Sequence, residues 1–79
     1  MDKHPNLIKI GKKIRAVREL KGFSQEEFAA EAGLGRTYYG RVERGEQNIS
    51  IQNLIQIAFT LQVEIVELLP LLKQLKKLR

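Results

Sequence analysis

The chain has 79 residues and no cysteine, so its length suits one small domain, and neither a disulfide nor a thiolate metal site can form. Hydrophobic residues make up 43% of the sequence, which favours a folded core over disorder. A net charge of +5 points to anionic partners, chiefly nucleic acid or a membrane surface. The polar stretch 1–6 does not resemble a signal peptide, no apolar run is long enough to span a bilayer, and the lack of cysteine suits the cytoplasm.

The first predicted helix spans about residues 6–21. Positions on one face recur at helical spacing, whereas the lysines between them point outward. Gly22 follows, and glycine is the residue that most often ends a helix. The positions on the inner face are Leu7, Ile10, Ile14, Val17 and Lys21.

A second helix is predicted to begin at Ser24, because a serine followed three residues later by Glu27 forms a capping box. Phe23 and Phe28 flank this cap at the spacing of a hydrophobic staple. We expect Gly33 to end the helix in a left-handed conformation, which glycine adopts without strain.

A third helix over about residues 36–44 completes a predicted helix-turn-helix at about residues 24–45. Ser50 is placed to cap a fourth helix. A fifth helix is expected from about Val63, kinked or split near Pro70, because proline lacks a backbone N–H and restricts the residue before it. With no β-type alternation, the chain is predicted to be a single all-α domain over residues 1–79. The stripe on the fourth helix is Ile51, Leu54, Ile55, Ala58 and Leu61, and the stripe after Pro70 is Leu71, Leu72, Leu75 and Leu78.

One further set of residues extends across the first four predicted helices. These residues are Arg18, Ser24 to Ala29, Gly33-Leu34, Val42 to Gly45, Asn53-Leu54 and Ile57-Ala58. Together they resemble the phage repressor and Cro class of helix-turn-helix proteins, the XRE family. The resemblance covers residues 10–69 and implies a compact five-helix, repressor-like DNA-binding domain. Three shorter strings are similar to the controller proteins of restriction–modification systems, which are small dimeric autoregulators. They are Arg36-Thr37-Tyr38, Glu43-Arg44-Gly45 and Asn48-Ile49-Ser50.

The outer face of the third predicted helix is cationic. Arginine can bond the O6 and N7 atoms of guanine with two parallel hydrogen bonds, worth about 1–3 kcal/mol of discrimination. The resemblance implies that Arg36, Thr37 and Arg41 read bases, and a solvated helix face is the alternative. Tyr39 and Val42 lie on the opposite side and are expected in the core. The residues that share the outer face by spacing are Arg36, Thr37, Gly40, Arg41 and Arg44.

A second group is predicted to contact the DNA backbone, which positions a protein without reading sequence. The amide of Gln25 and the free N–H groups at the start of the second helix suit a phosphate, whereas the alternative for Gln25 is a helix-start role without DNA contact. For Tyr38, a DNA contact and half-buried packing are both possible from the sequence. Ser50 is expected chiefly to cap the fourth helix. The members of this group are Gln25, Tyr38, Arg44, Gln47, Asn48 and Ser50.

Two charged residues are assigned a structural role. The resemblance implies that Arg18 and Glu43 form a partly buried salt bridge between the first and third helices. Gly35 and Gly40 depart from the family pattern, which has a capping residue and a side chain at these positions. Glycine at position 40 permits close approach to DNA or to a neighbouring helix.

Double-stranded DNA and a second copy of the chain are the predicted partners. The apolar surface of the fourth and fifth helices is the candidate dimer interface, with the segment 63–79 expected to mediate dimerisation, and ordinary core packing is the alternative. His4 is the only histidine, and the sequence lacks a nucleophile–base pattern or a phosphate-binding loop. We therefore expect no enzymatic activity, metal, cofactor or small-molecule ligand. The predicted interface leucines are Leu68, Leu69, Leu71 and Leu72.

Two other functions stay open beside that of a DNA-binding transcription regulator that occupies an operator. An antitoxin would use the leucine-rich C-terminal segment to bind a toxin, and a neighbouring toxin gene would distinguish it from a controller that lies beside a methylase and an endonuclease. A protein-bridging adaptor would use the fold without reading DNA.

Overall fold

The computed structural model describes residues 3–78 of the chain. Met1, Asp2 and Arg79 lie outside the described residues, so the predicted domain 1–79 and the predicted segment 63–79 are seen only within that range. The described chain contains helices and no strand, which confirms the all-α prediction. The elements are α1 (Pro5–Leu20), α2 (Gln25–Glu31), α3 (Arg36–Arg44) and α4 (Ile51–Leu61), followed by 3-10 helices at Ile65–Leu68 and Leu72–Gln74.

The start of α2 is fixed by local hydrogen bonds. The Ser24 hydroxyl accepts from the Glu27 N–H at 3.1 Å, and the Glu27 carboxylate accepts from the Ser24 N–H at 3.0 Å. The rings of Phe23 and Phe28 pack edge to face with centroids 5.4 Å apart. The predicted capping box and staple are therefore both present, and they set the angle at which the chain enters α2.

The turn between α2 and α3 uses glycine in a left-handed conformation. Gly33 follows α2 with φ +70°, a value that costs other residues strain. The N–H of Leu34 then bonds back to the carbonyl of Ala29 at 2.9 Å, so the chain reverses within a few residues. This tight turn brings the start of α3 close to α2.

The core lies between the four α-helices and the first 3-10 helix. Its fully buried side chains are Ile14 of α1, Phe28 of α2, Tyr39 and Val42 of α3, Ile57 and Leu61 of α4, and Leu68. The predicted stripe on α4 is wrong at two positions, because Ile51 is 64% exposed and Ile55 is only half-buried, while Ile57 is buried. Since α4 is apolar on nearly every side, helical spacing alone does not identify its inner face.

The C-terminal segment splits at Pro70, which confirms the predicted break. Leu69, the residue before the proline, is extended with φ −111° and ψ 138°, as sterics before proline require. The chain after Pro70 folds back on α1, where the side chain of Asn6 bonds the backbone of Lys76 through both its amide nitrogen and its oxygen. In residues 3–78 no single helix is long and apolar enough to span a bilayer. Helix α4 and the segment Ile65–Gln74 reach that length and apolarity only when taken together, and the chain bends by 103° between them.

Candidate nucleic-acid interface

The helix α3 has one buried and one exposed face. Tyr39 and Val42 point into the core, and the Tyr39 ring packs on Phe28 with centroids 5.1 Å apart. The side chains of Arg36, Thr37, Arg41 and Arg44 are exposed on the other side of the helix. The spacing that groups them in the sequence therefore places them on one free surface.

A buried ion pair joins α1 to α3. The structure pairs the two residues that the resemblance assigns to a salt bridge: Arg18 Nε lies 2.6 Å from Glu43 Oε2, and Arg18 Nη2 lies 3.1 Å from Glu43 Oε1. Both residues are only 6% exposed. Two parallel bonds between a planar guanidinium and a carboxylate fix distance and orientation together, so the pair sets the position of α3 on α1.

The Glu43 carboxylate accepts two further hydrogen bonds. The Tyr39 hydroxyl donates to Oε2, and the Gln25 amide nitrogen donates to Oε1 at 3.0 Å. Burial alone raises the pKa of the Glu43 carboxyl, but the bonds from Arg18, Tyr39 and Gln25 outweigh it and hold that pKa below its usual value. Glu43 is therefore a charged carboxylate whose acceptor positions are filled by three side chains.

The same network ties α2 to the other helices. Arg18 Nη1 donates to the carbonyl of Phe23 at 2.7 Å, just before α2 begins. Hydrogen bonding to Glu43 raises the pKa of Arg18, and burial raises the pKa of Tyr39, so neither group changes charge near neutral pH. No buried side-chain N or O atom in residues 3–78 lacks a hydrogen-bond partner. A network in which every polar atom is hydrogen-bonded favours one arrangement of α1, α2 and α3 over others.

Gln25 is half-buried between α2 and α3. Its nitrogen faces Glu43, since a carboxylate can only accept, and its Oε1 therefore faces Gly40 of α3. The bond from Gln25 to Glu43 is a positioning contact that the sequence did not predict. Spacing within one helix carries no signal for a bond between two helices.

The arginines on the outer face differ in their surroundings. Arg36 Nη2 lies 3.8 Å from Glu26 Oε2, and Arg44 Nε lies 3.1 Å from Glu46 Oε1. Arg41 has no carboxylate within 4.0 Å in the described part of the chain. Exposed pairs of this kind contribute about 0–1 kcal/mol, so their arginines can be redirected to an anionic ligand at little cost.

The remaining predicted contacts lie around the end of α3 and the start of α4. Tyr38 is half-buried, and its hydroxyl accepts a hydrogen bond from the Asn53 amide at 2.9 Å. Ser50 caps α4 by accepting from the Asn53 N–H at 3.1 Å. Gln47 is half-buried and Asn48 is exposed in the loop between the two helices. Asn53 therefore links the cap of α4 to α3, a role that only the folded structure reveals.

The four predicted interface leucines do not share one surface. Leu68 is 0% exposed and belongs to the core, and Leu69 packs half-buried against the core. Leu71 and Leu72 are exposed, the latter by 86%. The apolar repeat in this segment is too dense to separate core from surface, so the prediction needs correction at Leu68, which has no surface to offer a partner.

A larger exposed apolar surface lies on α4 and the first 3-10 helix, and we call it the α4 patch. Phe59 is 76% exposed there. A shallow depression runs beside it, lined mainly by apolar side chains that include Ile55, Val63 and Ile65. The members of the α4 patch are Ile51, Ile55, Phe59, Val63, Ile65 and Val66.

Comparison with known proteins places this geometry in a family. The helix-turn-helix family model HTH_3 matches residues 14–68. The control protein C.MunI of a Mycoplasma species is 42% identical over 62 residues, which cover 77% of this chain and 84% of that protein. The crystal structure of the restriction–modification controller protein C.AhdI from Aeromonas hydrophila superposes with a TM-score of 0.80 at 43% identity, over 82% of this chain and 98% of that one.

A third similar structure contains DNA. The biofilm master regulator SinR, known from Bacillus subtilis, matches in its DNA complex with a TM-score of 0.71 at 38% identity, over 75% of this chain and 95% of that one. The resemblance seen in the sequence, including that to restriction–modification controller proteins, is thus confirmed. The chain belongs to the helix-turn-helix family of XRE type.

Proposed function

We propose that this chain is a sequence-specific, DNA-binding transcription regulator that acts as a homodimer, and more narrowly the controller of a restriction–modification system. The observation that carries the proposal is α3, which exposes Arg36, Thr37 and Arg41 on one face while the Arg18–Glu43 pair anchors the other. Similarity to C.MunI and C.AhdI over most of their length supports the narrower role. The proposal includes a cytoplasmic location and no enzymatic activity.

The residues of α3 divide into two roles in this proposal. Arg36, Thr37 and Arg41 read base edges in the major groove, because they are exposed together on one face. Arg44 and Gln25 lie beside them and contact phosphates, with Gln47 and Asn48 continuing the backbone contacts beyond the helix. The Tyr38 hydroxyl already accepts a bond from the Asn53 amide, so its first role is to hold α4 against α3. Ser50 accepts from the Asn53 N–H, so its first role is to cap α4.

The function is tested by selection from a library of random duplexes, followed by a salt titration on the enriched sequence. We expect one enriched site with two-fold symmetry, and an affinity that falls steeply with salt because phosphate contacts release counterions. Arg15→Ala, which removes an exposed cation from the outside of α1, serves as a control that should enrich the same site. Absence of any enriched site would favour the adaptor function.

The α4 patch is the proposed dimer interface. Ile51, Phe59 and Val66 are exposed in the single chain, and the other members of the patch are half-buried beside them. An exposed apolar surface rimmed by polar residues is typical of a protein interface. A two-fold dimer that binds adjacent half-sites must place its two copies of α3 about 34 Å apart, the spacing of successive major grooves. The proposal keeps the fourth helix of the predicted interface and centres the contact on α4 and the first 3-10 helix rather than on the predicted leucines, which are Leu68, Leu69, Leu71 and Leu72.

The dimer is tested by sedimentation equilibrium of the parent and of Phe59→Asp. We expect the parent to be dimeric at micromolar concentration and Phe59→Asp to be monomeric, because the substitution places a charge in an apolar contact. Leu72→Asp changes an equally exposed apolar residue outside the α4 patch and should leave the dimer intact. If Leu72→Asp alone dissociated the dimer, the interface would lie in the C-terminal segment.

A further inference from the structure

Two glycines of this chain are required by close contact between backbone segments. A Cβ added to Gly11 of α1 would lie 2.5 Å from the carbonyl oxygen of Val42. At Gly45, which has φ +75°, an added Cβ would lie 2.6 Å from the Cα of Ile8. Backbone atoms cannot move aside, so the packing of α1 on α3 requires glycine at these two positions.

Gly40 is different, because nothing in the fold requires it. It lies inside α3, is absent from the residues with positive φ, and is buried only under side chains. An added Cβ would meet Arg44 Nη1 at 3.1 Å and Gln25 Oε1 at 3.3 Å. Both atoms are the far ends of flexible side chains, so the fold can accept alanine, which is also the better helix former.

The space above Gly40 is a groove of about 300 Å³ between α2 and α3. Its lining residues carry two positive charges and no carboxylate, and the atoms nearest to Gly40 are Arg44 Nη1, a donor, and Gln25 Oε1, an acceptor. The lining residues are Gln25, Arg36, Thr37, Gly40 and Arg44. The guanidinium of Arg44 beside Gly40, together with the positive charge of Arg36, suits an anion that offers several acceptor oxygens. A base edge, by contrast, offers one or two acceptors, often beside a donor.

We infer that Gly40 is a positioning residue that keeps this groove open as a seat for one phosphate of the DNA backbone. The inference rests on the proposed function. It adds a residue that has no side chain and acts only by leaving space for the phosphate. A methyl group at position 40 would narrow the floor of the groove and push the ends of Arg44 and Gln25 apart. Because a phosphate carries no sequence information, the loss would fall equally on every duplex.

The test compares Gly40→Ala with Gly35→Ala, which adds the same methyl group where the nearest atom, Tyr38 Cβ, is 4.0 Å away. Thermal unfolding and binding to the selected duplex and to a scrambled duplex are measured over a series of salt concentrations. For Gly40→Ala we expect a raised Tm, an affinity about tenfold lower for both duplexes, and a salt slope smaller by about one. Gly35→Ala should keep the parent affinity and slope.

Four results would overturn the inference. These are an unchanged affinity of Gly40→Ala, a changed base preference at an unchanged salt slope, an equal loss in Gly35→Ala, or unfolding of Gly40→Ala, which would mean that the fold itself demands glycine. If the parent bound no duplex, the proposed function would fail and this inference with it. If the parent bound and Gly40→Ala bound equally well, only the inference would fail.

Discussion

The helix-turn-helix (residues 24–45) and the C-terminal segment (residues 63–78) both contribute buried side chains to the core, yet they are held in different ways. In the helix-turn-helix, the two helices are fixed by a capping box, a hydrophobic staple and a glycine in the left-handed conformation. They are also fixed by the buried Glu43 carboxylate, which accepts four hydrogen bonds. In the C-terminal segment, two 3-10 helices of four and three residues surround Pro70, and Leu68 is the fully buried side chain. The comparison teaches that a buried polar network, more than apolar content, determines how firmly a surface is presented.

The largest expected effect concerns the network. Arg18→Met keeps an apolar stem of similar length but leaves the Glu43 carboxylate buried without a cation. We expect the free energy of unfolding to fall by about 3–5 kcal/mol, measured by urea denaturation at fixed protein concentration. Arg15→Met, on the same helix, breaks only an exposed ion pair with Glu19 and should change the free energy of unfolding by less than about 1 kcal/mol. Equal effects of the two variants would mean that the buried network holds the helix-turn-helix no more firmly than an exposed ion pair does.

The next effect concerns the anchor of the C-terminal segment. Leu68→Ala should lower the free energy of unfolding by about 2–5 kcal/mol, because it leaves a cavity in the core. Leu72→Ala, four residues further along, removes an exposed side chain and should change stability by no more than about 0.5 kcal/mol. Urea denaturation of both proteins measures the difference. A large loss in Leu72→Ala would show that the segment is anchored more broadly than its burial indicates.

Acid should weaken the network selectively. The pKa of the Glu43 carboxyl is lower in the folded protein than its ordinary value of 4.5. The ionised carboxylate therefore stabilises the fold fully above pH 4.5, and this stabilisation is lost as the pH falls through the folded-state pKa. Glu43→Gln cannot titrate, and we therefore expect the stability gap between parent and variant to narrow between pH 7 and pH 3. Urea denaturation across this range tests it. A constant gap would mean that the carboxylate charge does not stabilise the fold.

The sequence predicted the elements whose causes are local. Ser24 and Glu27, Gly33 and Pro70 act on neighbouring residues, and each produced the expected start, turn or break. The inner face of α4 was predicted only in part, because that helix is apolar almost all round and its orientation depends on the rest of the core.

Contacts between elements were harder to predict. The bonds from Gln25 to Glu43 and from Asn53 to Tyr38 join residues 18 and 15 positions apart on different helices. No periodicity marks such pairs, and only the Arg18–Glu43 pair was expected, through the family resemblance. Hydrogen bonds between helices can therefore be identified only in the folded structure, whereas the exposed face of α3 can be predicted from residue spacing within one helix.

In the proposed function, the network presents α3 to the major groove, where Arg36 reads a base and Arg44 contacts the DNA backbone. The direct measurement is the affinity of Arg36→Ala and Arg44→Ala for the selected duplex and for its single-base variants, over a range of salt concentrations. Arg36→Ala should lose about 1–3 kcal/mol on the selected duplex and stop discriminating at one base pair, whereas Arg44→Ala should weaken all duplexes alike and lower the salt slope by about one. If both variants bound every duplex as the parent does, the account of α3 as the recognition helix would be wrong.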